Sequence, residues 1–326
     1  MSKCLLHSVK IIFLFSAVLL LCCRSFAQND TTALKTDTTA LKADTTTAKK
    51  NIQANLKTVD NTAPAVYNIN PWSTAIIGVA ATAANMVAIN NVLHNKRDLT
   101  PVEVQALRPD VLNGFDHWAL ELDPSKRDHF YSLSDKSLTV VLAASAATFI
   151  LGKKTRKDWL RLALMYYQTQ FLTFAFYDFS PFGPLFQNRL RPYVYYDYFP
   201  YDDRKGGNQR NSMYSGHVAN ATAATFFAVK VYLDYHPEMR SKKVLLYGLA
   251  SLPPLFVGYT RIKALAHFPS DVLMGYLIGG VFGIVVPELH RIKSSNLKLN
   301  TYYNGQTGGV QMTYHFGKQK KGLLME

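Results

Sequence analysis

The chain has 326 residues, 48% of them hydrophobic and only 18% charged, with 36 Lys and Arg against 22 Asp and Glu for a net charge of +14. That profile excludes a disordered chain. Three cysteines, Cys4, Cys22 and Cys23, are too few and too clustered for a disulfide scaffold or a zinc–thiolate fold.

The first 27 residues have the build of a cleavable secretory signal. Lys3 and Lys10 make a basic start, Ile11 to Cys23 is an unbroken apolar run, and Ser25-Phe26-Ala27 places small residues before Gln28. The run is short for a spanning helix. Cleavage after Ala27 removes every Cys, and Lys3, Lys10 and Arg24 leave with it, so that +11 remains. A lipoprotein cut before Cys22 is the alternative, with bulky Leu21 against it. The remaining surplus can face nucleic acid, anionic lipid or asymmetric membrane loops. Export argues against nucleic acid.

Residues 28–61 form a tether. Asp30 to Lys50 carries three seven-residue copies, DTTALKT, DTTALKA and DTTTAKK. A coiled-coil seam needs two apolar positions per heptad, and these copies have one Leu or none. The segment reads as flexible, with no chemistry.

From Asn61 to Asn95 there is no Asp, Glu, Lys or Arg, and further uncharged runs span 137–152, 162–177, 218–229, 244–260 and 272–287. Five of these read as helices rich in Ala, Leu and Gly; the run 244–260 holds Pro253-Pro254 and reads as kinked. Several are about 16 residues against the roughly 20 that cross a bilayer, and snorkelling ends extend them. Two features favour a membrane over the buried helices of a large soluble bundle. Gly275, Gly279 and Gly283 lie on one face of the last segment, which permits close packing in lipid. The stretch 182–201 holds eight aromatics, suited to a headgroup layer, with an ordinary aromatic core as the alternative.

The expected fold is therefore an all-α, membrane-embedded bundle of about six helices over residues 62–295, followed by a tail, 296–326, whose Leu297 to Phe316 alternates like a small β-hairpin. Lys153, Lys154, Arg156 and Lys157, then Arg240, Lys242 and Lys243, then Arg291 and Lys293 mark cytoplasmic loops by the positive-inside rule. A cleaved signal and a crossing by Trp72 to Leu93 conflict with that orientation. Asn85, Asn90 and Asn91 make this segment the least suited to cross.

Three polar clusters sit at segment ends that the loop charges place on one side. The first is Asn188-Arg189-Leu190-Arg191-Pro192, the second Tyr214-Ser215-Gly216-His217, the third Thr260-Arg261 with His267 and Asp271. Asp271 stands four residues after His267, spaced to hydrogen-bond one imidazole nitrogen and leave the other as a nucleophile. Arg261 and Arg191 offer planar forks of donors for phosphate oxygens. Ser215 and Gly216 precede a helix whose free N–H groups can cradle an anion. His217 is a candidate proton donor. These are the parts of a phosphoryl-transfer site that needs no metal.

Arg191-Pro192, Ser215-Gly216-His217 and Thr260-Arg261 with His267 and Asp271 resemble, in order and spacing, the three signatures of the type 2 phosphatidic acid phosphatase (PAP2)/vanadium haloperoxidase superfamily. The third departs at Thr260, where the family has Ser, the second at Tyr214, where it has Pro, and the first at Pro184, where it has Lys. The resemblance covers about Trp72 to His290. It implies a helical bundle and a phosphatase with no cofactor and no metal. In it His267 forms a phosphohistidine, Asp271 orients His267, and His217 protonates the leaving alkoxide. Arg191, Arg261, Ser215 and Gly216 hold the phosphate. Arg189, Lys205 or Arg210 are candidates to replace the missing Lys. The implied substrate is a lipid phosphate or diphosphate in a bacterial-type cell membrane, handled on the periplasmic or exterior face. A soluble secreted acid phosphatase of the same superfamily, a vanadate haloperoxidase and a non-catalytic membrane scaffold are the other readings.

Overall fold

The computed structural model describes residues 66–94, 96–292, 297–303 and 308–314. The signal-like stretch 1–27 and the tether 28–61 lie outside them. The chain divides into two units, one ending at His290 and one beginning at Arg291. In the second, Leu297–Tyr303 pairs antiparallel with Gly308–Tyr314, Leu297 opposite Tyr314 and Tyr303 opposite Gly308.

The first unit is all-α. Its long helices are α1 (Pro71–His94), α2 (Arg127–Leu151), α3 (Trp159–Phe179), α4 (Gly216–Tyr235), α5 (Lys243–Lys263) and α6 (Pro269–His290). Each covers one of the six uncharged runs, so the expected six-segment bundle is present. The helix α5 continues through Pro253-Pro254. Short helical turns, among them Gly114–His117 and Pro192–Tyr195, fill the long connections on the side of the polar clusters.

The helix α4 lies at the centre and packs against α2, α3, α5 and α6, while α1 rests on α3. Its fit to α6 explains the glycine stripe. A Cβ built on Gly275 would stand 2.4 Å from the Ser215 carbonyl oxygen, one on Gly279 2.1 Å from that of Ala219, and one on Gly283 2.6 Å from that of Ala223. The two backbones touch where no side chain fits, in the small-residue packing that lipid favours. The contacts also rise in the same direction along both chains. The helices are therefore parallel, with their N-termini at one end of the bundle.

The outer surface is apolar as well. On α6, Leu273, Leu277, Val281, Val285 and Leu289 face outward, and on α5 Leu245, Leu249, Leu252 and Phe256 do so. A soluble helix exposes a polar face there. The helices that are long and apolar enough to cross a membrane cover Pro71–Val92, Pro124–Leu151 and Pro269–His290. The first is the segment whose asparagines made it look least suited. Asn85 is buried rather than turned outward, and its Nδ2 donates to the Phe171 carbonyl on α3 at 3.2 Å, while its Oδ1 has no partner among the described residues.

The aromatic stretch 182–201 divides between two environments. Phe182, Phe186 and Tyr198 are exposed. Tyr193 is buried under the Arg127 guanidinium, 4.1 Å from the ring centroid, and the Tyr196 hydroxyl donates to the Ala119 carbonyl at 2.9 Å. Only part of the stretch is free for a headgroup layer.

The α4–α6 contact predicts that Gly279→Ala destabilises the bundle by about 1–3 kcal/mol, the usual scale of overpacking. Gly248, beside which an added Cβ meets nothing within 4 Å, is the control. Thermal unfolding in detergent should show a lowered midpoint for Gly279→Ala and none for Gly248→Ala.

Candidate active site

The three polar clusters meet at the end of the bundle where α4 and α6 begin. Main-chain groups join them. The Ser215 N–H donates to the Asp271 carbonyl at 3.0 Å, the Ser212 N–H to the Arg189 carbonyl at 2.9 Å, and the Ala266 N–H to the Arg261 carbonyl at 3.1 Å. Arg191 Nη1 donates to the Ala266 carbonyl at 3.0 Å, next to His267. Leu265, at φ 52, makes the left-handed turn out of α5, and its carbonyl accepts from the Tyr193 N–H at 3.1 Å. A non-glycine residue in that region marks a turn held by its surroundings.

His267 is buried, 2% exposed, between the end of α5 and the start of α6. Its Nδ1 lies 2.6 Å from the Ser212 carbonyl oxygen. A carbonyl only accepts, so Nδ1 carries the proton and Nε2 the lone pair. Nε2 makes no hydrogen bond among the described residues. Burial first, then the charges of Arg191 and Arg261, hold this imidazole well below its ordinary range, with His217 adding to them and the Ser212 carbonyl opposing. The ring is thus neutral at neutral pH, with a free nucleophilic nitrogen in the field of two guanidiniums.

Asp271 does not take the place the spacing suggested. Its carboxylate accepts from Ser212 Oγ at 2.6 Å, from the Phe268 N–H at 2.8 Å and from Arg189 Nη1. Pro269 opens α6, so Asp271 falls in the first turn and its side chain folds back to the free N–H before the helix, as in a capping box. The Ser212 carbonyl takes the Nδ1 proton in its stead, and Asp271 acts one bond further out, on Ser212.

His217, in the first turn of α4, is paired with a carboxylate: its Nε2 donates to Asp135 Oδ1 at 2.9 Å. Arg261 Nη1 stands 3.6 Å from the same oxygen and donates to Ser134 Oγ at 3.2 Å, while its guanidinium lies 4.7 Å from the Tyr131 ring centroid. Ser215 holds the N-cap position of α4, yet its hydroxyl is buried and has no partner among the described residues. A buried, unpaired hydroxyl at a helix N-terminus is suited to an anion's oxygen. Gly216 packs under the Tyr177 ring, 3.4 Å from where its Cβ would be. Among the described residues, the Arg191 guanidinium donates only to carbonyls, those of Asn208 and Ala266.

The three residues considered as replacements for the missing Lys are held by carboxylates. Arg189 pairs with Asp116 and Asp271, Lys205 with Asp202, and Arg210 with Glu103. Lys96 instead donates to the carbonyls of Gln187 and Arg210; burial, then Arg210 and Arg191, pull its ammonium down to about 8.

Asp116, Asp135 and Ser212 were not singled out from the sequence. Asp135 had one signal, an acid at the mouth of an apolar helix on the side of the clusters. Asp116 contacts residues 73 and 154 positions away, which no local pattern encodes. Burial pushes the Asp116 carboxyl up, but hydrogen bonds from Ser270, Arg189 and Asn113 bring it below its ordinary value.

Residues 158–294 match the family model of the PAP2 superfamily. Among solved structures, the chain is similar to a transmembrane PAP2 type phosphatidylglycerolphosphate phosphatase from Bacillus subtilis, at 19% identity and a TM-score of 0.38, over 65% of this chain and 94% of that one. No curated protein matches the chain.

The electrostatics predict a pH profile. The acid limb of kcat/KM, which reports the free enzyme, falls well below pH 6.5 because His267 stays neutral down to that range. Arg191→Gln removes a positive neighbour, favours the imidazolium, and moves the limb upward toward 6.5, alongside its loss of rate. A limb already at 6.5 in the unaltered protein would contradict this account.

Proposed function

We propose that this PAP2-superfamily chain is a membrane phosphatase that hydrolyses a phosphomonoester or diphosphate of an anionic lipid through a phosphohistidine. The observation that carries the reading is the Nδ1–H bond of His267 to the Ser212 carbonyl, which leaves a neutral Nε2 toward two guanidiniums. In the first step Nε2 attacks phosphorus in line, an N–P bond forms and the ester P–O bond breaks. The leaving oxygen takes its proton from His217, whose protonated form Asp135 stabilises. In the second step water attacks the phosphohistidine, the N–P bond breaks, phosphate leaves, and His217 recovers a proton from the water. Arg191, Arg261, Ser215 Oγ and the free N–H groups at Gly216 hold the equatorial oxygens, and the parallel dipoles of α4 and α6 favour the charge that grows there.

The apolar outer faces of α5 and α6 favour a membrane enzyme with a lipid substrate over a soluble acid phosphatase. The basic loop 153–157 lies between α2 and α3, and the basic loop 240–243 between α4 and α5, joined by a Lys154–Glu238 pair at 2.9 Å. Both are at the end of the bundle opposite His267. The positive-inside rule then favours the exterior or periplasmic face for the site.

Two measurements test this. Phosphate release by detergent-purified protein should be faster from lipid phosphates or diphosphates than from water-soluble phosphomonoesters, should persist in EDTA, and should vanish in His267→Ala. Vanadate, a trigonal-bipyramidal mimic of the transition state, should inhibit. Preference for small soluble esters would favour the acid phosphatase; full activity in His267→Ala would remove the mechanism.

A further inference from the structure

The buried polar groups around α6 form a chain that begins far from the three clusters in sequence and touches them in space. Asp116, fully buried in the short helix Gly114–His117, is held there by Asn113, whose Oδ1 accepts the Asp116 N–H at 2.9 Å. Its Oδ1 accepts the Ser270 N–H at 2.9 Å. Its Oδ2 accepts Ser270 Oγ at 2.7 Å, Arg189 Nη2 at 2.6 Å and Asn113 Nδ2 at 3.0 Å. The other arm of Arg189 reaches Asp271 and, at 2.7 Å, Ser270 Oγ, while the guanidinium lies 4.7 Å from the Phe268 ring centroid. Asp271 holds Ser212 Oγ at 2.6 Å, and the Ser212 carbonyl takes the His267 Nδ1 proton at 2.6 Å. From Asp116 to His267 every link is a direct hydrogen bond between side chains or their own backbone, and the last link is the one that selects the reactive nitrogen.

We infer that Asp116, acting through Arg189, is a positioning residue for His267: it locks the 266–271 turn and the Ser212 carbonyl so that the imidazole keeps its Nδ1–H tautomer. The inference rests on the phosphatase reading of the site. Two carboxylates on the two arms of one planar guanidinium fix its plane as a single carboxylate does not. An Asn at position 116 presents an amide whose N–H₂ either meets the donor arm of Arg189 or gives up Ser270, so one link is lost with little change of shape. A lysine at 189 keeps the charge but cannot bridge Asp116 and Asp271 in a plane.

The test uses the full chain in detergent, labelled with ¹⁵N-histidine, with the His267 signals identified by their loss in His267→Ala. The unaltered protein should show one neutral tautomer, protonated on Nδ1. Asp116→Asn should show a mixture of both tautomers. Its kcat on the best substrate of the panel should fall by about tenfold to a hundredfold, the cost of a small misplacement of a reacting group, with KM changed less than about threefold. Arg189→Lys is the second variant, in case Asp116→Asn does not fold, and should show the same pair of changes. A single Nδ1–H tautomer in a folded variant overturns the inference, whether turnover is kept or falls only in step with the amount of folded protein. A tautomer mixture in a protein that releases phosphate from no substrate supports the positioning role and overturns the phosphatase reading instead.

Discussion

Two parallel helices that touch backbone to backbone set the geometry of everything at the site. The carbonyls of Ser215, Ala219 and Ala223 on α4 lie where any side chain on Gly275, Gly279 or Gly283 of α6 would stand. That contact permits one register, and the register puts Ser215, Gly216 and His217 beside the turn that carries His267. It also brings two helix N-termini to one point, so that free N–H groups and aligned peptide dipoles face the same space. In water a helix with three interior glycines is costly; inside an apolar bundle the close approach offsets that cost.

The charges at this end are sorted by what neutralises them. Asp135 sits between His217 and Arg261, and Asp116 and Asp271 share Arg189. Arg191 pairs with no carboxylate among the described residues and donates to carbonyls only. A buried guanidinium without a counter-ion is costly, so Arg191 and the Ser215 hydroxyl, which has no partner among the described residues, are together suited to a small anion rich in acceptors. Burial first, and this same charge after it, keep His267 neutral. One electrostatic arrangement thus serves both binding and nucleophilicity.

The bundle was legible in the sequence because helices in lipid announce themselves by the absence of charge, and each of the six uncharged runs became a helix. The candidate site residues stood out because His217 and Arg261 border those runs and Arg191 and His267 lie in the connections between them, where the motif spacing could be read. The partner of His267 was not. Spacing alone favoured Asp271, but the helix start at Pro269 turns that carboxylate back on its own N-terminus, and a main-chain carbonyl from Ser212 fills the position. Backbone partners leave no trace in residue identity. Asp116 and Asp135 were hidden for another reason: their contacts join segments 73 to 154 residues apart, and only the folded bundle brings them to the site. The aromatic stretch misled in part, since composition does not separate Tyr193, packed under Arg127, from Tyr198, which is exposed.

Rapid acid-free quenching of the protein during turnover of a ³²P-labelled substrate tests the central claim most directly. The account predicts a phosphorylated protein whose label survives alkali, is lost in mild acid as a phosphoramidate should be, and maps to the peptide containing His267. Label that survives acid or maps to Ser215 would contradict it.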